Sequence, residues 1–357
     1  MDDRNAQVGW TEAQWNRVRE EVLQAWQRVR VAGSFLPTYG PLPPSTQVVP
    51  TEVLDADDGT VDDRATAALI EIALPVKLSR QQIWEEDLSS ALLQFRRRAT
   101  QLGQLEDWFI FNGTYPSIEP TQAARPEFAR DKDGLPAYRP ELAHLNADPS
   151  LRARISGTPK SIEGLNHVNQ GEGMRRQNPG SLGLIEGSSM EQQQNAAKVA
   201  RALQAQQPQL DNNSKMQAII VDAINSLENN GYVAPYVCVF GRNPFQAAFI
   251  PINNSTVLPR DRIEPLIGRE LLHASGIDIL PHKFDQYDAK LGEGNWRSRG
   301  VLLSMANEPI DLALAAEATP EFRQVDDEGR YVFSVSERFA LRIKDIKAIV
   351  PLVFQKP

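Results

Sequence analysis

A chain of 357 residues, 41% apolar and with a net charge of −8, can bury a sizeable core as two domains or as one with large excursions. No run approaches the ~20 apolar residues of a membrane helix, and a single cysteine, Cys238, excludes an internal disulfide and fits a reducing cytoplasm. The acidic balance argues against a generic nucleic-acid binder, whose phosphate contacts need a surface excess of Lys and Arg, and the first residues lack the basic-then-apolar order of a signal peptide.

Trp10-Thr11-Glu12-Ala13-Gln14-Trp15 starts a helix. Thr11 and Gln14 have capping-box spacing, and Trp10 and Trp15 occupy the two positions of a hydrophobic staple. Trp15, Val18, Val22, Trp26 and Val29 then recur every three or four residues as one narrow apolar stripe. Two readings stay open for that stripe: it packs on its own core, or part of it forms a groove for a partner peptide. Residues 33–50 are proline-rich and aperiodic, an extended connection. Asp57-Asp58-Gly59 is a turn signal between two strand-like runs, the second alternating through Ile70, Ile72, Leu74 and Val76, so residues 51–78 read as a long hairpin.

Ser79 and Gln82 form another capping box. Trp84, Leu88, Ala91, Leu92, Phe95, Ala99, Leu102 and Leu105 then hold a helical period up to Asn112-Gly113, a left-handed stop, which makes a spine of about seven turns. Glu85, Glu86 and Asp87 suit the positive end of that helix, and being adjacent they cannot act as a general acid/base pair. Residues 114–180 change character: proline-rich, charged and without period, they read as a surface or inter-subunit insertion. Helices follow at 191–207 and from about Ser214 to Gly231.

Tyr236 to Phe240 is β-branched and aromatic, a buried strand. Asn243-Pro244 reads as N-cap and first-turn proline of the next helix, residues 252–259 as a polar tip, and 276–280 as a returning strand. Pro265 is expected to break or kink the helix after the tip. Strands are expected at 301–305 and 310–315. The clearest strand is the last: Tyr331, Phe333, Val335, Phe339, Leu341 and Ile343 alternate, with Glu337 as the only charged member, and an apolar run from Ile346 to Phe354 follows.

Chemistry is hard to find. His144, His167, His273 and His282 are scattered, and no HExxH, Cys/His cluster, GxSxG or phosphate loop occurs, so neither metal nor cofactor is expected and no catalytic residue can be nominated. Four stretches instead resemble the encapsulin family of linocin-like nanocompartment shell proteins, which share the tailed-phage major capsid fold. WTEAQW with the helix after it and SFLPTYGP resembles the family's N-terminal helix and its exit. LEDWFIFNG resembles the close of the family's spine helix, APYVCVFGRNPFQA its G-P-Y strand and following helix, and SERFALRI its terminal strand.

The resemblance implies an α+β fold of major-capsid type. Residues 1–50 would be the N-terminal helix and arm of the P-domain, 51–78 the E-loop that pairs with a neighbouring subunit, and 79–113 the spine helix. The insertion would span 114–180, further P-domain helices 181–231, the A-domain 232–315, and C-terminal P-domain strands 316–357. It also implies a self-assembling icosahedral shell, cytoplasmic and not an enzyme, that encloses a cargo enzyme (peroxidase or ferritin-like) held by a short targeting peptide, with no membrane or nucleic-acid partner. Asn253, Asn254, Ser255, Thr256 and Val257 would line a fivefold pore, only weakly charge-selective. Val22, Ala25, Trp26 and Val29, facing Ala318, Thr319 and Pro320, would be the cargo-peptide groove. A phage capsid protein enclosing DNA is the alternative of the same fold, and a hydrolase or protease is a third reading that lacks a nucleophile and base.

Overall fold

The computed structural model describes residues 5–54, 60–112, 154–156, 212–251, 256–278 and 296–355. The insertion, apart from 154–156, and the helix expected at 191–207 lie outside the described residues.

The first helix, α1 (Glu12–Val29), starts as the sequence indicates. Thr11 accepts from the Gln14 N–H, the Gln14 side chain accepts from the Thr11 N–H, and the Trp10 and Trp15 rings close the staple edge-on at 5.0 Å. After the arm strand β1 (Thr38–Tyr39) comes a two-stranded ribbon, β2 (Val48–Leu54) against β3 (Val61–Ala68), with Val48 opposite Ala68. The alternating run at 70–76 is not the second arm of this ribbon. It forms its own strand, β4 (Ile70–Leu78), whose apolar face is needed in the main sheet beside the last long strand.

The second capping box caps only a single turn, α2 (Arg80–Ile83). Leu88 adopts φ 53, and the spine helix α3 (Ser89–Asn112) begins after it. At 1.5 Å per residue its 24 residues span about 36 Å. The break puts Trp84 in solvent at 70% exposure instead of on the apolar stripe. Glu85 and Asp87 still serve the helix terminus, as caps ahead of it: Glu85 accepts from the Ser90 N–H at 3.0 Å and Asp87 from the Ser89 N–H at 3.3 Å.

A three-residue strand, β5 (Arg154–Ser156), pairs with β4. Then follow α4 (Asn212–Asn229), β6 (Tyr236–Phe240), α5 (Arg242–Ala248), α6 (Pro259–Ile267), β7 (Leu272–His273), β8 (Trp296–Ser304), β9 (Ile310–Val325), β10 (Tyr331–Ile343) and β11 (Ile349–Gln355). The cap of α5 is Gly241, which leaves Asn243 and Pro244 inside the first turn. Helix α6 runs through Pro265 to Ile267 and is closed by Gly268, in the left-handed conformation. The return strand is β7, earlier than expected. Leu271, Ala274 and Ile277 point inward at a spacing of three, so residues 275–278 form a 3-10 turn; 279 and 280 lie outside the described residues.

Among the described residues three sheets result: five strands in the order β1-β9-β10-β4-β5, four in the order β11-β8-β6-β7, and the ribbon β2-β3. One core lies between α1, α3 and the five-stranded sheet and reaches Val237, Val239, Val301 and Leu303 of the second sheet. The other lies beneath α4, α5 and α6 and takes Tyr236, Cys238, Phe240 and Leu302. Strand β6 is therefore buried on both faces, which is why it reads as a continuous apolar run instead of an alternating one.

This topology moves the expected boundaries. Strand β11 pairs with β8 and not with β10, and α4 packs on the same sheet, so both join the layer of residues 236–304. A boundary at 315 would cut β9, which runs on to Val325 beside β10. Pro320 hid that continuation in the sequence. Beyond Leu314, whose carbonyl accepts from the Leu42 N–H, the described residues place no strand on the outer side of β9, where a missing N–H costs no ladder bond.

Helices α1 and α3 touch at Gly103. A Cβ there would meet Val29 Cγ2 at 2.7 Å and the Trp26 carbonyl oxygen at 3.1 Å. Gly103→Ala is expected to destabilise by about 1–3 kcal/mol, the usual cost of overpacking, even though alanine is the better helix former. A urea titration of the full chain checks it.

Candidate assembly surfaces and the buried charge cluster

The ribbon β2-β3 is fixed at its root. Arg338 and Arg342 share one face of β10, and their guanidinium groups reach the arm that leads into the ribbon. Arg338 donates to the Pro44 carbonyl and, at 2.8 Å, to that of Thr46; Arg342 donates to the Pro50 carbonyl at 3.0 Å. Arg342 is itself oriented by a two-pronged pair with Asp311 at 2.5 and 2.6 Å, by Lys344 on the same carboxylate at 2.9 Å, and by the Tyr39 ring 3.7 Å below it. Small residues complete the seat: Ala67, Ala313, Ala315 and Ala340 close around Val49 and Leu69. Above that seat Val48 and Val61 stand more than half exposed.

In the chain, α5 and α6 flank the expected tip. Of the expected pore residues, Asn253, Asn254 and Ser255 lie outside the described residues, whereas Thr256 and Val257 are exposed. Arg260 lies 4.5 Å over the Phe249 ring and 3.5 Å from Asp261, so these two charges offset each other beside the tip.

The expected peptide groove is not open. Val22 and Trp26 are fully buried against the chain's own core, and Ala25, Ala318 and Pro320 are buried too. A stripe this rich in tryptophan stabilises more by closing on the sheet than by waiting for a peptide. Thr319 is exposed and Val29 half-buried over Gly103. These two are what the structure leaves accessible of the seven.

Beneath α1 the structure assembles a charge cluster that sequence reading did not bring together. Glu106, on the buried face of α3, takes both Nε and Nη2 of Arg30 at 2.5 and 2.6 Å, and the guanidinium lies 3.8 Å over the Trp26 ring. Asp107 accepts the N–H groups of Val31 and Ala32 at 2.8 and 2.9 Å, capping the chain as it leaves α1. Glu337 of β10 accepts from the Trp26 indole N–H on one oxygen, and its other oxygen is buried without a hydrogen bond. Glu106 and Glu337 are both 0% exposed.

Burial dominates the titration here. It pushes Asp107 up to about 7 despite the two backbone N–H groups, and it holds Glu337 well above the ordinary carboxylate range, with the neighbouring Glu106 charge acting the same way. Burial also raises Glu106, against the pull of Arg30. Two signals could have exposed the cluster: the lone charge in an alternating strand, and two adjacent acids inside the apolar close of α3.

Among the described residues no group of three His, Cys, Asp or Glu side chains could hold a metal ion, and no helix is long and apolar enough to cross a membrane. His273, beside the Phe245 ring at 5.0 Å, belongs to the packing under α5. His144, His167 and His282 lie outside the described residues.

No protein-family model matches the chain, and no curated protein matches it in sequence. Solved structures similar to it include the virus-like particle from Pyrococcus furiosus, at 11% identity over 96% of this chain and 100% of that one, with a TM-score of 0.49. The SrpI encapsulin complex from Synechococcus elongatus PCC 7942 is similar at 9% identity over 91% and 88%, TM-score 0.46. Mycobacterium phage Bobi is similar at 14% over 93% and 89%, TM-score 0.44.

Proposed function

We propose that this chain is the shell subunit of an icosahedral nanocompartment that self-assembles, encloses a cargo enzyme, passes small molecules or ions through pores at its symmetry axes, and performs no catalysis itself. The observation that supports it most is the ribbon β2-β3. Among the described residues its strands pair only with each other. A two-stranded ribbon is marginal in water, and open edges invite another strand. Yet the root is held by two arginines, a bidentate ion pair and an alanine seat, while Val48 and Val61 above that seat stay more than half exposed. A neighbouring copy of the chain is the occupant this arrangement suits.

The four sequence stretches that resemble encapsulins support the same reading. In it, Asn253 to Val257 surround a pore, and a cargo peptide docks on the surface around Thr319 and Val29, since the remaining groove candidates are committed to the core. A cytoplasmic compartment follows from the resemblance.

Size-exclusion chromatography with negative-stain microscopy tests the reading: closed shells are expected, and a monomer or small oligomer across several salt concentrations overturns it. Absorbance of purified particles separates cargo protein from packaged DNA. At the tip, Thr256→Asp with Val257→Asp is expected to alter several-fold the entry of a small charged probe into intact shells, through the field of a ring of added charges. Loss of assembly in that variant would remove the pore assignment.

A further inference from the structure

Three carboxylates and one guanidinium share the seam where α1, α3 and β10 meet, and their hydrogen bonds are unevenly divided. Arg30 is occupied by Glu106, and Asp107 by two backbone N–H groups. Glu337 has one donor, the Trp26 indole, for two buried oxygens. Among the described residues no other charge from the surrounding elements can neutralise it. Its partner across β4 is Ile72, while Glu71 and Arg338 pair with one another on the opposite face of the sheet. On β9, Glu317 is exposed. From α1 only Arg30 faces it, and from α3 only Glu106 and Asp107. One cation cannot compensate three buried anions, and an ionised group left without partners in a dry seam is costly.

We propose that this seam is a proton-held latch: α1 is closed on α3 and β10 while Glu337 carries a proton, and loss of that proton loosens α1 from the rest of the subunit. The inference stands on the seam alone and is independent of what the chain assembles into.

The direction follows from linkage. A carboxyl group that is harder to ionise in the folded chain than in the unfolded one stabilises the fold fully only below its ordinary range near 4, and the contribution is lost as pH rises through the folded value. Asp107, at about 7, places part of that loss between weakly acidic and neutral pH, and Glu337 carries it further upward. The seam therefore tightens on mild acidification and slackens under alkaline conditions.

Amide hydrogen exchange on the full chain tests it, with intrinsic rates corrected for pH and the amides of α4 as internal reference. Between pH 5.5 and 8.5 the protection of α1 is expected to fall at least about tenfold relative to α4, one unit of pKa shift being a factor of ten. Glu337→Gln, which imitates the protonated acid, is expected to keep α1 protected at pH 8.5 and to flatten that profile. Should that variant not fold, Asp107→Asn, whose amide oxygen can still accept from Val31 and Ala32, is read the same way. A flat wild-type profile overturns the latch, as does an equal fall in α1 and α4, or a profile that neither variant changes.

Discussion

Arg30→Met is expected to cost the fold about 3–5 kcal/mol, because it removes the one cation from a seam that holds three carboxylates. Arg30 and Glu106 meet with side chains 11% and 0% exposed, so water cannot take over the broken pair. Burial alone would pull the guanidinium's pKa down, but the Glu106 hydrogen bonds and the surrounding carboxylates raise it, so charge on Arg30 is favoured by everything except desolvation. The variant should lose more stability at pH 8 than at pH 5.5, where the acids it abandons can take up protons. Denaturant midpoints at the two values check this. The double variant Arg30→Met with Glu106→Leu should recover much of the loss, since an apolar pair of similar volume removes the abandoned Glu106 charge together with its cation. A double variant as unstable as the single one would show that packing, not charge, was the cause.

Phe333→Ala is expected to be about as damaging, roughly 3–5 kcal/mol, through a cavity instead of a charge. Its ring stacks on Trp10 at 5.2 Å and meets Phe95 at 5.3 Å, Phe322 at 5.4 Å and Trp15 at 6.1 Å. It thereby ties the start of α1, the spine and two strands into one cluster. Large rings from four elements cannot collapse into the gap together without moving the backbones that carry them, so relaxation should be small. Urea unfolding of the full chain measures the cost, and Phe333→Leu, which keeps much of the volume, should recover more than half of it.

Elements carried by local signals were legible in the sequence. The capping box and staple at Trp10 to Trp15, the period of α3, the alternation of β10 and the apolar run of β6 all sit where those patterns place them. Each depends on interactions within a few residues or on a face that must be buried whatever lies opposite. The misplacements share the reverse property. Ile70 to Val76 looks the same as a hairpin arm or as a sheet strand, and only its partner in β10 decides which. The capping box at Ser79 is real, but a left-handed Leu88 makes it the cap of a separate turn. Pro320 suggests a strand end until the open side of β9 is known.

The same division holds for function. An α+β chain around a long spine helix, an interior run from Tyr236 to Phe240, and the lack of a familiar catalytic or metal motif in the sequence could all be read from the residues, because periodicity, capping and motif spacing are written along the chain. It took the packed chain to show that Val22 and Trp26 face the core and not a visitor, that Arg338 and Arg342 grip the root of a ribbon nearly three hundred residues earlier, and that, among the described residues, Glu106, Asp107 and Glu337 share one cation. Those are statements about which side chains exclude water from one another across great distances in sequence, and contacts of that kind leave no period behind them.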